Sequence, residues 1–285
     1  MEALVQSIFN GLVMGFIYVL VALGLTLIFG IMRIVQFAHG EIYMISAYCV
    51  YFFAVVFGLN LFLSFVLSVV ILGIVGIFIE KYLFRPFRGR VESSIIVAIG
   101  LILLLQTIAS VGFGTQTKSL PTMIPGIVSL LGAKISWDRA LAVIVGLVLT
   151  ILLFLFIKRT RLGQAMVSVS QEPEGAILQG VDVNRISGLS MSIGCVLAAI
   201  AGALMGSIFQ RVEPVMGSFA MAQGIAVIIL GGLGSIPGAV IGGIFLGLLA
   251  GIIPLYADTT IASMISFAII IIILFIRPTG LLGHD

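Results

Sequence analysis

The sequence has 285 residues, of which only 14 are Lys or Arg and 11 are Asp or Glu, while 61% are hydrophobic. An ordinary soluble domain is about 45–50% apolar, and the mean hydropathy of +1.33 is far above that of such a domain. The charged residues are separated by seven apolar runs, which cover 3–32, 42–79, 93–117, 140–157, 186–210, 214–257 and 259–276. Because about 20 apolar residues suffice for a helix that spans a bilayer, the sequence predicts an all-α, polytopic integral membrane protein.

The same composition excludes several other classes of protein. A transmembrane β-barrel needs short segments of alternating hydrophobicity, and the isoleucine run 269–273 does not alternate. The net charge of +3 does not indicate a nucleic-acid partner, because the basic residues lie in short loops between apolar runs. Two cysteines, two histidines and no P-loop motif leave no basis for a metal site, a cofactor or a catalytic residue.

The apolar runs predict a single domain over residues 1–285, a helical bundle of about eight transmembrane helices with broken or re-entrant segments. In chain order we predict helices over 5–31, 36–57, 61–80, 94–114, 139–157 and 186–209, an interrupted pair across 218–253, and a last helix over 259–276. The run 214–257 is too long for one crossing. The glycine- and proline-rich stretch 231–238 is the expected point of interruption.

The basic residues indicate how the bundle is oriented. They concentrate in the loop 81–90 and the segment 158–185, and Arg277 follows the last helix. By the positive-inside rule these parts face the cytoplasm. The poorly charged loop 115–137 is then external, and so is the N-terminus. The basic residues of the two segments are Lys81, Arg85, Arg88, Arg90, Lys158, Arg159, Arg161 and Arg185.

Glycines spaced four residues apart predict that helices approach each other closely, as small residues allow in lipid. The spacing does not distinguish contacts within the chain from contacts between subunits. The pairs are Gly11/Gly15, Gly202/Gly206, Gly238/Gly242, Gly243/Gly247 and Gly247/Gly251.

The segment 158–185 is predicted to be a cytoplasmic loop that carries one short helix, from Pro173 to Gln179. Pro173 suits the first helical position, Glu174 suits the first turn, and Gly180 suits the residue that ends a helix. A helix of two turns is marginal on its own in water. It therefore needs a surface to pack against, either the membrane domain and its lipid or a cytoplasmic partner.

Two stretches are predicted to interrupt helices near membrane depth. Backbone outside a helix must be buried in protein or line a wet cavity, and one interruption in each half of a chain is typical of a transport site. Each stretch also has a simpler interpretation, as a helix end at the membrane surface for the first and as a plain turn for the second. In the first stretch, His39 and Glu41 can pair with each other or with Arg33. The candidate pathway residues are Gln36, Phe37, Ala38, His39, Gly40, Glu41, Gly231, Gly232, Gly234 and Ser235.

These motifs, in this order, resemble the permease subunits of bacterial branched-chain amino-acid ABC importers, the LivH type. The resemblance covers nearly the whole chain and rests on Phe37-Ala38-His39-Gly40-Glu41, the segment 158–185, the stretch Gly231–Ala239 and the ending Arg277–Gly283. It implies a multi-pass protein of the bacterial inner membrane that translocates branched-chain amino acids. It also implies that the chain is not itself an enzyme, since ATP is hydrolysed on partner subunits.

The resemblance implies partners and a coupling element as well. The partners are a second permease subunit, commonly in a heterodimer, two cytoplasmic ATP-binding subunits and a periplasmic solute-binding protein. The short helix of the segment 158–185 is then expected to dock on the ATPase and transmit its closure. Its candidate coupling residues are Pro173, Glu174, Gly175, Ala176, Ile177, Gly180 and Val181.

Other functions stay open at the level of sequence. The same architecture can carry urea, a short amide or other amino acids. A stand-alone secondary transporter is a second alternative. Ion-coupled transport depends on charged residues inside the membrane, and Glu41 is the one charge expected inside a helix. An intramembrane enzyme is a third, for which the sequence offers no paired catalytic groups.

Overall fold

The computed structural model describes residues 2–34, 36–130, 133–256, 258–277 and 279–282, and these residues form eleven α-helices and one antiparallel β-hairpin. Seven helices in the described residues are long and apolar enough to cross a membrane. The prediction of an all-α, polytopic bundle is therefore confirmed, with the number of about eight spans being approximate. In chain order the elements are α1 Glu2–Met32, α2 His39–Tyr51, α3 Leu61–Phe78, α4 Val91–Phe113, β1 Ile127–Leu130, β2 Ala133–Ser136, α5 Trp137–Arg159, α6 Arg161–Gln171, α7 Pro173–Leu178, α8 Val183–Phe209, α9 Met216–Gly231, α10 Ile236–Ile252 and α11 Thr259–Ile276.

Two helices continue past their α-helical part. A π-helical turn, Phe52–Val56, extends α2, and a second one, Ile79–Phe84, extends α3 into a short 3₁₀ turn, Arg85–Phe87. The first of these lengthens α2 enough to count as a membrane span, His39–Val56.

The centre of the bundle is an antiparallel seam between α1 and α10, built from glycines. A Cβ atom at Gly11 would lie 2.9 Å from the Cα of Leu248, and one at Gly15 would lie 3.1 Å from the Cα of Ile244. Gly247 and Gly251 of α10 lie against the backbone of Gly15 and Gly11 in turn. These predicted small-residue contacts thus hold two helices of the same chain together.

The helix α8 packs on the opposite flank of α1 and receives α2 and α3. A Cβ atom at Gly194 would lie 3.1 Å from the carbonyl oxygen of Gly24, so α1 and α8 meet almost backbone to backbone. Gly202 packs directly on the backbone of Tyr43 in α2, and Gly76 of α3 packs on Cys195. Three helices therefore pack around α8 through small residues.

The two ends of the bundle match the two faces that the sequence predicts. At one end, which we call the basic end, Arg88 Nη1 donates to Asn184 Oδ1 at 2.8 Å and joins the loop 81–90 to the segment 158–185. At the opposite end, the backbone N–H of Lys134 donates to Gln6 Oε1 at 2.8 Å, so the start of α1 lies beside the β-hairpin. By the positive-inside rule, we expect the basic end to face the cytoplasm and the start of α1 to be external.

Two elements differ from the sequence-based expectations. The loop 115–137 contains the hairpin β1–β2, in which Ile127 pairs with Ser136, and residues 131 and 132 between the strands lie outside the described residues. The segment 158–185 contains α6 in addition to the predicted short helix. The hydroxyl of Thr160 accepts the N–H of Gly163 and caps α6 at 3.0 Å. Two four-residue strands and one amphipathic helix are easily missed when hydropathy is the main signal.

Candidate translocation site and coupling helix

The helix α2 begins inside the membrane domain rather than at its surface. The chain leaves α1 after Met32, turns at Arg33, whose φ is +52°, and starts α2 at His39 instead of at the predicted residue 36. The ring of His39 lies against α1, where a Cβ atom at Gly24 would come within 2.6 Å of its Nε2. Gly24 is about 12 Å along α1 from Met32 at a rise of about 1.5 Å per residue. This depth favours an interruption within the membrane over a helix end at its surface.

The helix α9 begins at the same place. Gly217 packs on Gly40, and a Cβ atom at Gly217 would lie 2.8 Å from the carbonyl carbon of Gly40 and 2.9 Å from Oε2 of Glu41. The 16 residues of α9 extend only about 24 Å, less than the ~30 Å hydrocarbon core. The segment 210–215, which leads into α9, therefore interrupts a helical membrane crossing in the second half of the bundle.

The glycine-rich pattern of the sequence predicts this second interruption at 231–238 instead. The segment 210–215 enters from the end opposite the basic end, where Val212 forms a β-bridge with Lys118. Gln210 adopts a left-handed conformation with φ of +52°. The available signal is the polar stretch Gln210–Pro214, which by its composition is typical of an external loop.

From their common origin the two helices run in opposite directions. The helix α2 runs towards the external end, where Tyr48 stacks on Phe113, while α9 runs to a turn at the basic end. Among the described residues, no side chain caps the start of either helix. We call residues 36–41 and 215–218 the junction.

Buried polar groups collect on one face of the junction. Glu41 is 2% exposed, and its Oε1 accepts a hydrogen bond of 3.0 Å from Nε2 of Gln106 on α4. The same Nε2 donates to Oγ of Ser218 on α9 at 3.1 Å. Within the described part of the chain, Oε2 of Glu41 has no hydrogen-bond partner. An unsatisfied buried polar group costs about 1–3 kcal/mol, so this carboxylate is an unusual feature of a fold otherwise rich in apolar contacts.

The remaining residues of the first stretch are also buried or partly buried. Ala38 and His39 are fully buried, Phe37 packs partly on the core, and neither amide atom of Gln36 has a partner among the described residues. The ion pairs predicted for His39 and Glu41 do not occur among the described residues. Arg33 instead donates to the carbonyl oxygen of Ser170 at 3.3 Å, because it lies at the basic end.

The second predicted stretch forms a tight turn between α9 and α10 at the basic end. Gly232 and Gly234 have φ values of +102° and +81°, and Oγ of Ser235 accepts the N–H of Gly238 at 3.1 Å. Gly231 packs on the backbone of Gly238, which closes the turn. This geometry matches the simpler of the two interpretations, and the role of Gly231, Gly232, Gly234 and Ser235 in a pathway stays a prediction.

A groove of about 1220 Å³ opens beside this turn. Its walls come from the ends of α1 and α5, from α6 and from the turn itself, and they include Arg33, Lys158 and Gln164. The glycine turn therefore lies beside a groove at the basic end, well separated along α9 from the junction.

The final segment docks on the end of α9. The N–H groups of Leu281 and Leu282 donate to the carbonyl oxygens of Leu230 and Gly231 at 2.8 and 3.0 Å. The last carbonyl groups of a helix lack partners within the helix, so the chain ending satisfies them. Of the motif Arg277–Gly283, Pro278 and Gly283 lie outside the described residues.

The short helix of the segment 158–185 is present as α7, Pro173–Leu178. Glu174 lies in its first turn, and Gly180 follows it with φ of +83°. Ala176 is buried, and its carbonyl oxygen accepts the N–H of Val181 at 3.0 Å. The other apolar residues point outward, Ile177 with 58% and Leu178 with 89% of its surface exposed. Leu178 was not among the predicted coupling residues, although it is the most exposed apolar side chain of α7.

The buried carboxylate of Glu80 holds the loop 81–90 against the start of α8, the helix that follows α7. Glu80 is fully buried and pairs with Arg85 and Arg88, each at 2.6 Å. Since Arg88 also binds Asn184 in the first turn of α8, the cluster connects the end of α3 to the helix that follows α7. Glu80 cannot be recognised from sequence, because a lone acidic residue at the edge of an apolar run gives no signal.

Comparison with known proteins identifies the family. A family model described as "Branched-chain amino acid transport system / permease component" matches residues 7–274. The chain belongs to this family. Membership confirms the resemblance given above and gives the chain a role in transport, as a multi-pass protein of the inner membrane.

Two relatives agree with this assignment, and one solved structure shares the fold. The chain is 33% identical to the high-affinity branched-chain amino acid transport system permease protein LivH of Escherichia coli K12, with 98% of this chain and 95% of that protein covered. It is also 33% identical, over the same shares, to the corresponding permease protein BraD of Pseudomonas aeruginosa PAO1. The structure of PsaBC from Streptococcus pneumoniae in complex with Fab matches with a TM-score of 0.53 and 14% identity, over 95% of this chain and 91% of that one. This last likeness concerns the fold alone.

Proposed function

We propose that this chain is the permease subunit of an ATP-binding-cassette importer for branched-chain amino acids, and that the solute crosses the membrane at the junction. The relatives LivH and BraD, aligned over almost the whole chain, support the substrate class. The observation that carries the proposed pathway is the meeting of two uncapped helix starts beside buried polar groups.

The junction has the chemistry that an aliphatic amino acid requires. The positive dipole end of a helix attracts a carboxylate, and interrupted helices in transporters bind substrate in this way. The apolar residues Met221 and Met216 lie beside the start of α9. They offer a surface on which an aliphatic side chain replaces water.

Transport also requires partners, which we propose are a second permease subunit, two cytoplasmic ATP-binding subunits and a periplasmic solute-binding protein. The exposed face of α7 supports the cytoplasmic contact, because Leu178 and Ile177 leave apolar surface uncovered at the basic end. The coupling contact is proposed to use Pro173, Glu174, Gly175, Ala176, Ile177, Gly180 and Val181, together with Leu178. Closure of the ATPases would then move α7 and the helices at the junction in alternating access.

Reconstitution in liposomes tests this function. With the partner subunits and ATP, we expect accumulation of radiolabelled leucine, which excess isoleucine or valine reduces and excess urea does not. The chain alone should give no uptake. Robust uptake by the chain alone would contradict the importer and favour a stand-alone transporter, and competition by urea would favour the short-amide alternative.

A variant of α7 tests coupling within the same preparation. Leu178→Asp should lower leucine-stimulated ATP hydrolysis at least tenfold, because a charge replaces the apolar contact, while the protein inserts and elutes normally. Leu178→Met, which keeps an apolar side chain, is the matched control. Ala176 is a poorer site for this experiment. It is buried, so a substitution there would disturb packing within the chain as well as docking on the ATPase. Wild-type coupling in Leu178→Asp would refute the assignment of α7.

A further inference from the structure

We propose that Glu41 binds the α-ammonium group of the transported amino acid, and that the side-chain amide of Gln106 occupies the ammonium position between transport events. The proposal rests on the function proposed above and adds a specific recognition group to it. It makes Glu41 a substrate-binding residue and Gln106 a latch that the substrate displaces.

The hydrogen bonds around Gln106 define the ammonium position. Its Nε2 lies 3.0 Å from Oε1 of Glu41 and 3.1 Å from Oγ of Ser218, so one nitrogen donates to two acceptors on two different helices. An ammonium group has three N–H donors and can make both of these bonds. Its third donor would reach Oε2 of Glu41, which has no partner in the described residues. The site therefore offers one more acceptor than the amide uses.

Charge favours an ammonium ligand over the amide. A buried carboxylate is costly unless a cation pairs with it, and among the described residues no Lys, Arg or His forms a salt bridge with Glu41. The nearby start of α9, with Gly217 beside Oε2, contributes a positive dipole end that stabilises the negative charge. An ammonium ligand would bring the positive charge that pairs with this buried carboxylate.

The helix that covers Glu41 is weakly held. Gln106 belongs to α4, of whose 23 residues only Ser94, Ala98, Leu101 and Ala109 are buried. On the other side of the latch, Ser218 is exposed. Displacement of α4 by a small amount would break the two Gln106 hydrogen bonds and uncover the carboxylate on that face. The latch therefore connects occupancy of the site with the position of α4.

The test uses the reconstituted complex and purified chain in detergent. Glu41→Gln should raise the KM for leucine uptake at least tenfold, whereas Glu41→Asp, which keeps the charge, should retain part of the affinity. Glu92→Gln, at an exposed position in the first turn of α4, is the matched control and should behave as wild type. A wild-type KM in Glu41→Gln would overturn this inference but not the proposed function. Absence of leucine uptake by the wild-type complex would count against the proposed function instead.

A second measurement covers the case in which Glu41→Gln does not fold. Gln106→Ala removes the internal donor, so L-leucine should raise its melting temperature by more than it raises that of the wild type. The 2-oxo acid of leucine has the same side chain without the ammonium group and should stabilise neither protein. An equal or smaller shift in Gln106→Ala, or equal stabilisation by the oxo acid, would overturn the proposal.

Discussion

The helices α1 and α4 have similar apolar sequences but very different positions in the bundle. Of the 31 residues of α1, 19 are buried, and its glycines press directly on the backbone of α10. Of the 23 residues of α4, four are buried, and its glycines Gly100 and Gly112 face open space. The glycine seam fixes α1 in the bundle, whereas only a few buried side chains hold α4.

This difference gives the two regions different tasks. A seam in which backbone meets backbone has no side chains that can rearrange, so α1 and α10 form the rigid reference of the bundle. The helix α4 carries Gln106, the residue that covers Glu41. A helix that must move during transport is expected among the less densely packed elements of a fold.

The largest expected effect comes from filling the seam. In Gly247→Leu the new side chain would collide with the backbone of Gly15, and backbone cannot yield as a side chain does. Overpacking usually costs about 1–3 kcal/mol and sometimes more, so we expect loss of monodisperse protein in size-exclusion chromatography. Gly100→Leu on α4 is the matched control and should elute as wild type. A folded Gly247→Leu protein with an unchanged melting temperature would show that the seam is not rigid.

The seam is also a place where sequence predicted the interaction but not its geometry. The spacing of Gly11, Gly15, Gly247 and Gly251 predicted close packing, yet small-residue spacing is the same for contacts within a chain and between chains. Only the antiparallel docking of α10 on α1 decides between them. Composition and charge, which depend on the solvent around each segment, were sufficient for the fold class and for the two ends.

The junction shows the limit of hydropathy more sharply. Residues 36–41 were predicted to interrupt a helix because polar residues follow an apolar run closely. In the 44-residue run 214–257, the glycines at 231–238 predict the helix interruption, but in the structure they form a turn at the basic end. The interruption at membrane depth lies before Gly217 instead. Glu213 and Pro214 resemble an ordinary external loop, since a sequence records polarity but not depth.

A smaller effect on stability is expected at the cluster of Glu80, Arg85 and Arg88, which lies just before α4. Glu80 binds Arg85 and Arg88 in the segment immediately before Val91. Hydrogen bonds to charged groups contribute about 1.5–3 kcal/mol, and both arginines are partly exposed and can rehydrate. We therefore expect Glu80→Gln to lower the free energy of unfolding in detergent by about 2 kcal/mol, measured by thermal or chemical denaturation.

Glu92, the exposed residue of α4 used as a control above, also serves as the control for the Glu80 cluster. Glu92→Gln removes one carboxylate near the helix start, which is worth about 0.3–1 kcal/mol, and should change stability less than Glu80→Gln. Equal effects of the two variants would mean that the Glu80 cluster does not hold the loop 81–90 to α8.

The smallest effect is expected at the other end of α4, where Phe113 contacts the rings of Tyr48, Tyr51 and Phe52. The rings of Phe113 and Tyr48 stack with centroids 4.6 Å apart, whereas Phe219 is half exposed and forms no ring pair among the described residues. Phe113→Leu should cost about 1 kcal/mol, the typical contribution of an aromatic pair beyond its buried area, and Phe219→Leu should cost less. Backbone amide exchange should become faster near Gln106 in Phe113→Leu and stay unchanged in α1, since exchange reports local opening. If exchange rises equally in α1 and α4, the two helices open as one unit, and α4 cannot act as a separate gate over Glu41.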